Sequence, residues 1–298
     1  MKPPPFSYHD PRTVAEAIGL LASLDNAKLL AGGQSLMPML NMRLVEPEHL
    51  IDLNRVDGLA HIHLDDRTLA VGAMTRQREL ETDAGVRSRA PLLHEALLQV
   101  GHRQTRNRGT LGGSLCHLDP AAELVTVAAA LDAVIAVAGP RGQREIPFAE
   151  FPVSFMTPAI EPDEIVTAVR FALWPAGHGA SFVEFSRRHG DFAIASSAAL
   201  LDIGHDGTIT RASITLGGVA AGPLRMREIE TMLVGQSVSK TLFREASERC
   251  AAIDALEDVH VSAQYRRRLA VVLTRRALER ASERAGHPIR PSHRGAAE

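Results

Sequence analysis

The chain has 298 residues, of which 45% are apolar and 23% charged, with a formal net charge of −2. That length suggests two domains, or one large domain with insertions, and it suffices to bury a sizeable core. The near-neutral balance excludes a general basic field for nucleic acid. With two cysteines, Cys116 and Cys250, a disulfide framework is not expected, and the chain fits a reducing cytoplasm. Without a CxxC or CxxH pair, it is not expected to hold an iron–sulfur cluster by itself. "MKPPPFSYHD" has no secretory apolar segment, and no apolar run is long enough for a membrane span.

In chain order, "DPRTVAEAIGLLASL" predicts a helix, with Asp10 as its cap, Pro11 at its first position and an apolar stripe of Val14, Ile18 and Leu21. "KLLA" predicts a short strand, "SLMPMLNMRL" a short helix and "EHLIDLNRV" another strand, the grammar of a small parallel sheet. "LAHIHLDDRTLAVGAM" alternates about a polar tip and predicts a hairpin. "TRQRELE" and "APLLHEALLQVG" predict helices, as does "DPAAELVTVAAAL" with Asp119 as cap and Pro120 at its start. "AVIAVAGPRGQREIPF" predicts a second hairpin and "DEIVTAVRFAL" a further strand. "WPAGHGA" marks a boundary. Beyond it come strands in "ASFVEFS", "AIASSAALLDIG" and "TITRASITLGG", then helices in "MREIETMLVG", "SKTLFREASERCAAI" and a long one from Ser262. The expected units are residues 1–54 (α/β), 55–175 (α+β) and 176–288 (helices on an antiparallel sheet), with 289–298 as a frayed tail.

Two glycine segments carry the chemistry. "LLAGGQSL" places Gly32 and Gly33 between a strand and a helix, followed by Ser35. "RNRGTLGGSL" places Gly112 and Gly113 after Thr110 and before Ser114. Glycines admit positive φ, so consecutive N–H groups can form a concave nest for phosphate oxygens, with hydroxyls as further donors. Each pair can equally mark a tight turn, and neither segment is GxGxxG or GxxxxGK[ST]. Arg103, Arg106 and Arg108 either help neutralise a diphosphate or form a solvated surface. His61 and His63 alternate on a strand as surface residues. Cys116 fits a small buried thiol. Asp191, beside Gly190, either caps a turn or accepts a hydrogen bond from a ligand. No metal-ligand set, HExxH or GxSxG pattern is present, and no catalytic acid, base or nucleophile is expected.

"AGGQSLMPMLNMRL", "TLGGSLCHLDPAAEL" and "GDFAIASSAALL", in this order and spacing, resemble the FAD-binding medium subunit of molybdenum hydroxylases, the carbon monoxide dehydrogenase/xanthine dehydrogenase family. The resemblance spans nearly the whole chain. It implies an α+β fold of the vanillyl-alcohol-oxidase (PCMH) type, two subdomains holding FAD and a C-terminal antiparallel sheet with helices. By motif, Ala31, Gly32, Gly33, Gln34 and Ser35 form the first FAD loop, and Thr110, Leu111, Gly112, Gly113 and Ser114 the second, both cradling the pyrophosphate through backbone N–H groups. Glu123 matches an acidic position near the adenosine, and Asp191 the flavin-ring side. Gln34 stands where relatives often have His, Ser114 where they have Asn, and Glu184 where they have Lys. The implied function is electron transfer through FAD. Electrons would come from two 2Fe–2S clusters of a small partner and a molybdopterin site of a large partner, in a cytoplasmic heterotrimer that can dimerise. The alternatives are a self-contained flavin oxidase of the same fold superfamily and a scaffold that has lost flavin.

Overall fold

The computed structural model describes residues 1–288; the tail expected at 289–298 lies outside them. Three main sheets succeed one another along the chain, and their cores share residues across the boundaries.

The first is a parallel sheet of β1 (Ser7–His9), β2 (Ala27–Leu30) and β3 (His49–Asp52), in the order β1-β3-β2. Strand β1 was not foreseen, because its three residues carry no apolar period. Helix α1 (Val14–Ser23) joins β1 to β2 and α2 (Leu36–Asn41) joins β2 to β3. The cap of α1 is Thr13, not Asp10: Thr13 Oγ1 accepts from Glu16 N at 3.1 Å, and Glu16 Oε2 accepts from Thr13 N at 3.3 Å. This reciprocal box satisfies two end donors, while Asp10 pairs with Arg55 at 2.9 Å. Ala17, Ile51, Leu53 and Leu59 fill the core below, together with Ile165 and Met74 of the next unit.

The second sheet contains β4 (Ile62–Leu64), β5 (Thr68–Gly72), β6 (Val134–Gly139), β7 (Gly142–Pro147) and β10 (Ile165–Ala172), in the antiparallel order β4-β5-β10-β6-β7. Between β7 and β10 lies a small ribbon of β8 (Pro152–Ser154) and β9 (Thr157–Pro158). Six short helices intervene between β5 and β6: α3 (Gln77–Thr82), α4 (Ala84–Arg89), α5 (Pro91–Leu97), α6 (Arg103–Arg108), α7 (Leu111–His117) and α8 (Glu123–Ala130). The hairpins fall where the alternation predicts. Helix α8 starts later than expected, at Glu123, because Asp119 instead closes a local turn onto Ala121 N at 2.8 Å. Val71, Ile135, Val169 and Phe171 from the sheet bury against Leu93, Leu115 and Val127 from the helices.

Trp174, buried under the Arg211 guanidinium at 4.0 Å, anchors the passage to the third sheet. There β11 (Gly179–Phe185), β12 (Ala195–Ile203), β13 (Ile209–Gly217) and β14 (Leu224–Arg225) run antiparallel in sequence order. Helices α9 (Arg227–Leu233), α10 (Lys240–Glu248) and α11 (Ala263–Arg284) follow. Helix α11 lays Ala270, Leu273, Ala277 and Ala281 on one sheet face, with Ala199 and Leu201 in the same core. On the other face lie Phe182 and Ala198, in the core that holds α5 and α8. The third sheet is thus buried on both sides, in keeping with the continuous burial of β12 from Ala195 to Leu201.

Candidate functional site

Strands β2 and β3 end together, Leu30 opposite Asp52. Ligands of such sheets sit beyond the carboxyl ends of the strands, and the first glycine segment leaves from there. Asn54, in the turn after β3, donates from its N to Asp52 Oδ1 at 2.8 Å and from Nδ2 to the Ala31 carbonyl at 3.0 Å. Gly32 is buried, and a Cβ there would lie 2.3 Å from the Arg108 carbonyl oxygen. Gly33 has φ +73°, a conformation that costs other residues about 1–2 kcal/mol. Exposed Gln34 folds back, its Nε2 donating to Gly32 O at 3.2 Å. Ser35 opens α2 without capping it through its hydroxyl. Among the described residues, the N–H groups of Gly32, Gly33, Gln34 and Ser35 have no backbone acceptor.

The second glycine segment is not a loop. Thr110 is the N-cap of α7, and Leu111, Gly112, Gly113 and Ser114 are its first residues. Their N–H groups are all committed. Leu111 donates to Thr75 O at 3.1 Å, Gly112 to Ala73 O at 2.8 Å and Ser114 to Thr110 O at 3.2 Å. Gly113 donates to Thr110 Oγ1 at 3.0 Å. Thr110 N–H, by contrast, has no backbone acceptor among the described residues. The reason the others are committed is tertiary: Gly112 lies flat on Ala73, where a Cβ would come within 2.6 Å of the Ala73 Cβ.

The two segments nevertheless meet. Gly32 packs on Arg108 and Gly109, and a Cβ on Gly113 would stand 3.3 Å from the Ala31 Cβ. Across the junction runs Arg76, whose guanidinium donates to the Arg108 carbonyl and to Asn54 Oδ1. Asn54 and Arg76 therefore link both glycine segments, and sequence reading missed them. No local pattern marks that role, since the partners through which they link the segments lie 22 to 32 residues away. Burial of Arg76, then the charge of Arg108, lowers its pKa from the ordinary value.

The remaining candidates lie around this junction. Of the three arginines, Arg106 turns inward and pairs with Glu81 at 2.8 Å, whereas Arg103 and Arg108 are exposed. Cys116 packs against the core, and burial pushes its thiol up to about 12. Glu123 is buried at the start of α8, and desolvation raises its carboxyl to about 8, with Glu184 and Asp119 adding repulsion. Burial likewise raises Glu184 to about 7. Asp191 donates its N–H to Arg188 O at 3.1 Å in the turn after Gly190, and a Cβ on Gly190 would meet the His102 ring at 2.6 Å. His102 begins α6, whose other end is the Arg108 carbonyl against Gly32. One helix about 9 Å long thus separates the Asp191 turn from the glycine junction. Phe192, 69% exposed beside Asp191, offers an open aromatic face.

Uncommitted backbone donors at strand ends, an adjacent guanidinium and an exposed aromatic ring fit a phosphate-bearing planar cofactor. Among the described residues, no cluster of His, Cys, Asp and Glu is placed to hold a metal ion, and no helix is long and apolar enough to cross a membrane.

Comparison with known proteins identifies the family. Residues 4–174 match the FAD binding domain in molybdopterin dehydrogenase, and residues 180–281 the CO dehydrogenase flavoprotein C-terminal domain. The chain is 42% identical to the 6-hydroxypseudooxynicotine dehydrogenase complex subunit alpha of Paenarthrobacter nicotinovorans, covering 96% of this chain and 97% of that one. It is 35% identical to the carbon monoxide dehydrogenase medium chain of Hydrogenophaga pseudoflava, over 94% and 98% of the two chains. A solved carbon monoxide dehydrogenase from H. pseudoflava superposes with a TM-score of 0.92 at 36% identity, over 95% of this chain and 99% of that one. Quinoline 2-oxidoreductase from Pseudomonas putida 86 superposes at 0.91 with 35% identity, over 96% and 99%. The chain therefore belongs to the FAD-binding medium subunits of the molybdopterin hydroxylases, as an FAD-domain subunit of oxidoreductase complexes.

Proposed function

We propose that this subunit holds FAD at the junction of the two glycine segments and relays electrons between a partner's iron–sulfur clusters and an external acceptor. The observation that carries this reading is the contact of Gly32 with Arg108 and Gly109 beside the uncommitted N–H groups of Gly32–Ser35. Those amides, with the Ser35 hydroxyl, hold the pyrophosphate. The second segment contributes mainly shape, packing against Ala31 and supporting the first. Thr110, Leu111, Gly112, Gly113 and Ser114 thus act by position rather than through consecutive amides. Asp191 accepts a hydrogen bond on the ring side, and Phe192 covers a planar ring. Glu123, kept protonated at neutral pH by burial, serves the adenosine side as a neutral carboxylic acid. When bound, the flavin supplies the redox chemistry, and the protein supplies position and exclusion of water.

Two 2Fe–2S clusters and a molybdopterin site would belong to a small and a large partner, with substrate oxidised on the latter, in a cytoplasmic complex. The test is purification of the expressed chain with its co-purifying subunits. Flavin absorbance near one equivalent per chain, with two partners carrying iron and molybdenum, is expected. A flavin-free chain in the intact complex contradicts the reading. Substrate turnover by the isolated chain favours a self-contained flavin oxidase instead.

A further inference from the structure

We propose that Arg266 is a positioning residue that holds the Asp191–Ile194 turn and the approach to α8 in register from inside the C-terminal unit. Its relation to flavin rests on the proposed cofactor site. Arg266 lies on α11 and is 8% exposed. Its guanidinium donates to the carbonyls of Ile194 and Gly218 and pairs with Asp258. Asp258 is itself fixed, accepting from His260 N at 2.7 Å and Val261 N at 2.9 Å.

Each carbonyl belongs to a segment that leads to the candidate site. Ile194 is three residues beyond Asp191, and its N–H closes onto Phe185 O at 2.8 Å. Gly218, at φ +73°, donates to Pro120 O at 2.7 Å, in the segment that enters α8 just before Glu123. The two segments also touch, since a Cβ on Gly218 would lie 3.0 Å from Ala193 O and 3.1 Å from Ile194 O. Carbonyl oxygens that converge in a buried space repel unless a donor lies between them. A planar guanidinium can satisfy two carbonyls and a carboxylate at once, which an ammonium or a neutral amide does less completely. Removing it leaves buried acceptors without a donor.

The test compares full-length wild type with Arg266→Gln, Arg266→Lys and Leu273→Ala. Leu273 is a buried residue of the same helix that sits among the α11 core contacts, so its truncation lowers stability without touching the clamp. Three readouts are taken: thermal midpoint, FAD affinity by fluorescence quenching, and hydrogen exchange at the amides of Asp191 and Ile194. Arg266→Gln is expected to bind FAD at least tenfold more weakly and to exchange at these two amides at least tenfold faster. Arg266→Lys is expected to recover part of both. Leu273→Ala, with a comparable loss of thermal midpoint, is expected to stay within threefold of wild type in both. If Arg266→Gln behaves like Leu273→Ala, the clamp is overturned. If wild type takes up no FAD, the cofactor reading fails instead, and the exchange rates alone still decide the clamp.

Discussion

At Gly32–Gly33 the backbone N–H groups have no backbone acceptor among the described residues, whereas at Gly112–Gly113 they are bonded to Ala73 and Thr110. The residues are nearly the same: two glycines, then a hydroxyl within two positions. What differs is the scaffold beneath them. The first pair follows the end of a parallel strand, where its amides meet no backbone carbonyl among the described residues. The second opens α7 against Ala73, so Gly112 N–H meets the Ala73 carbonyl and Gly113 N–H the Thr110 hydroxyl. Glycine serves two purposes here, freedom of φ at Gly33 and absence of a side chain at Gly32 and Gly112.

Substitutions can break or sharpen this contrast. The largest effect is expected at the contact shared by both segments. Gly32→Val would place side-chain carbon against the Arg108 carbonyl, and backbone cannot yield cheaply there. Flavin absorbance should fall below about a tenth of wild type, with stability lower by about 3 kcal/mol or more. Wild-type flavin content in this variant would break the claim that the segments must touch.

Next comes the acid that follows the second segment. Glu123 has its carboxyl raised to about 8 from 4.5 in the native state. The native state therefore binds more protons than the unfolded chain between those values. Its stabilisation is complete below about pH 4.5 and is lost as pH rises to about 8. Glu123→Gln removes that loss, so the stability gap between variant and wild type should widen in the variant's favour from pH 5 to pH 8, then level off. Urea melts across this range measure it. Parallel curves would mean that Glu123 is solvated in the native state.

The two glycine pairs can then be set against each other. Gly33→Ala is strained by its positive φ by about 1–2 kcal/mol. It should reduce FAD affinity more than it lowers the melting temperature. Gly112→Ala presses on Ala73, costs about 1–3 kcal/mol, and should lower the melting temperature with affinity following only in proportion. Calorimetry and flavin titration on the same preparations separate them. An inverted order would reverse the roles assigned to the two segments. The smallest effect is expected for Thr110→Ala, which loses the α7 cap at about 1 kcal/mol. Thr110→Ser should restore it, and equal melting temperatures for all three proteins would rule out the cap.

Much of the architecture was legible because local physics repeats. Alternation marks the hairpins about Asp66 and Gly139–Gly142, and the helical period marks α5 and α11. Strand β1 escaped because three residues cannot show a period, and only pairing with β3 makes them a strand. The cap of α1 fell to Thr13 because Glu16 reciprocates, which Asp10 could not match. The site was half legible. Paired glycines point to close approach, and their chemistry suggests phosphate. Which atoms approach which is a property of space: Arg76 and Asn54 lie 22 residues apart and meet only in the folded chain, where the turn after β3 lies beside the start of α3.

By itself, then, the sequence determined where the chain bends, which faces are apolar and which two segments could admit a ligand. These depend on side-chain period and on the φ freedom of single residues. The tertiary structure decided which glycine pair leaves its amides without a backbone acceptor and which bonds them to protein. It also decided that Glu123 is buried at the start of α8 and that Arg266 holds two distant carbonyls. Hydrogen-bond partners and dielectric surroundings are set by neighbours remote along the chain, so no local pattern records them.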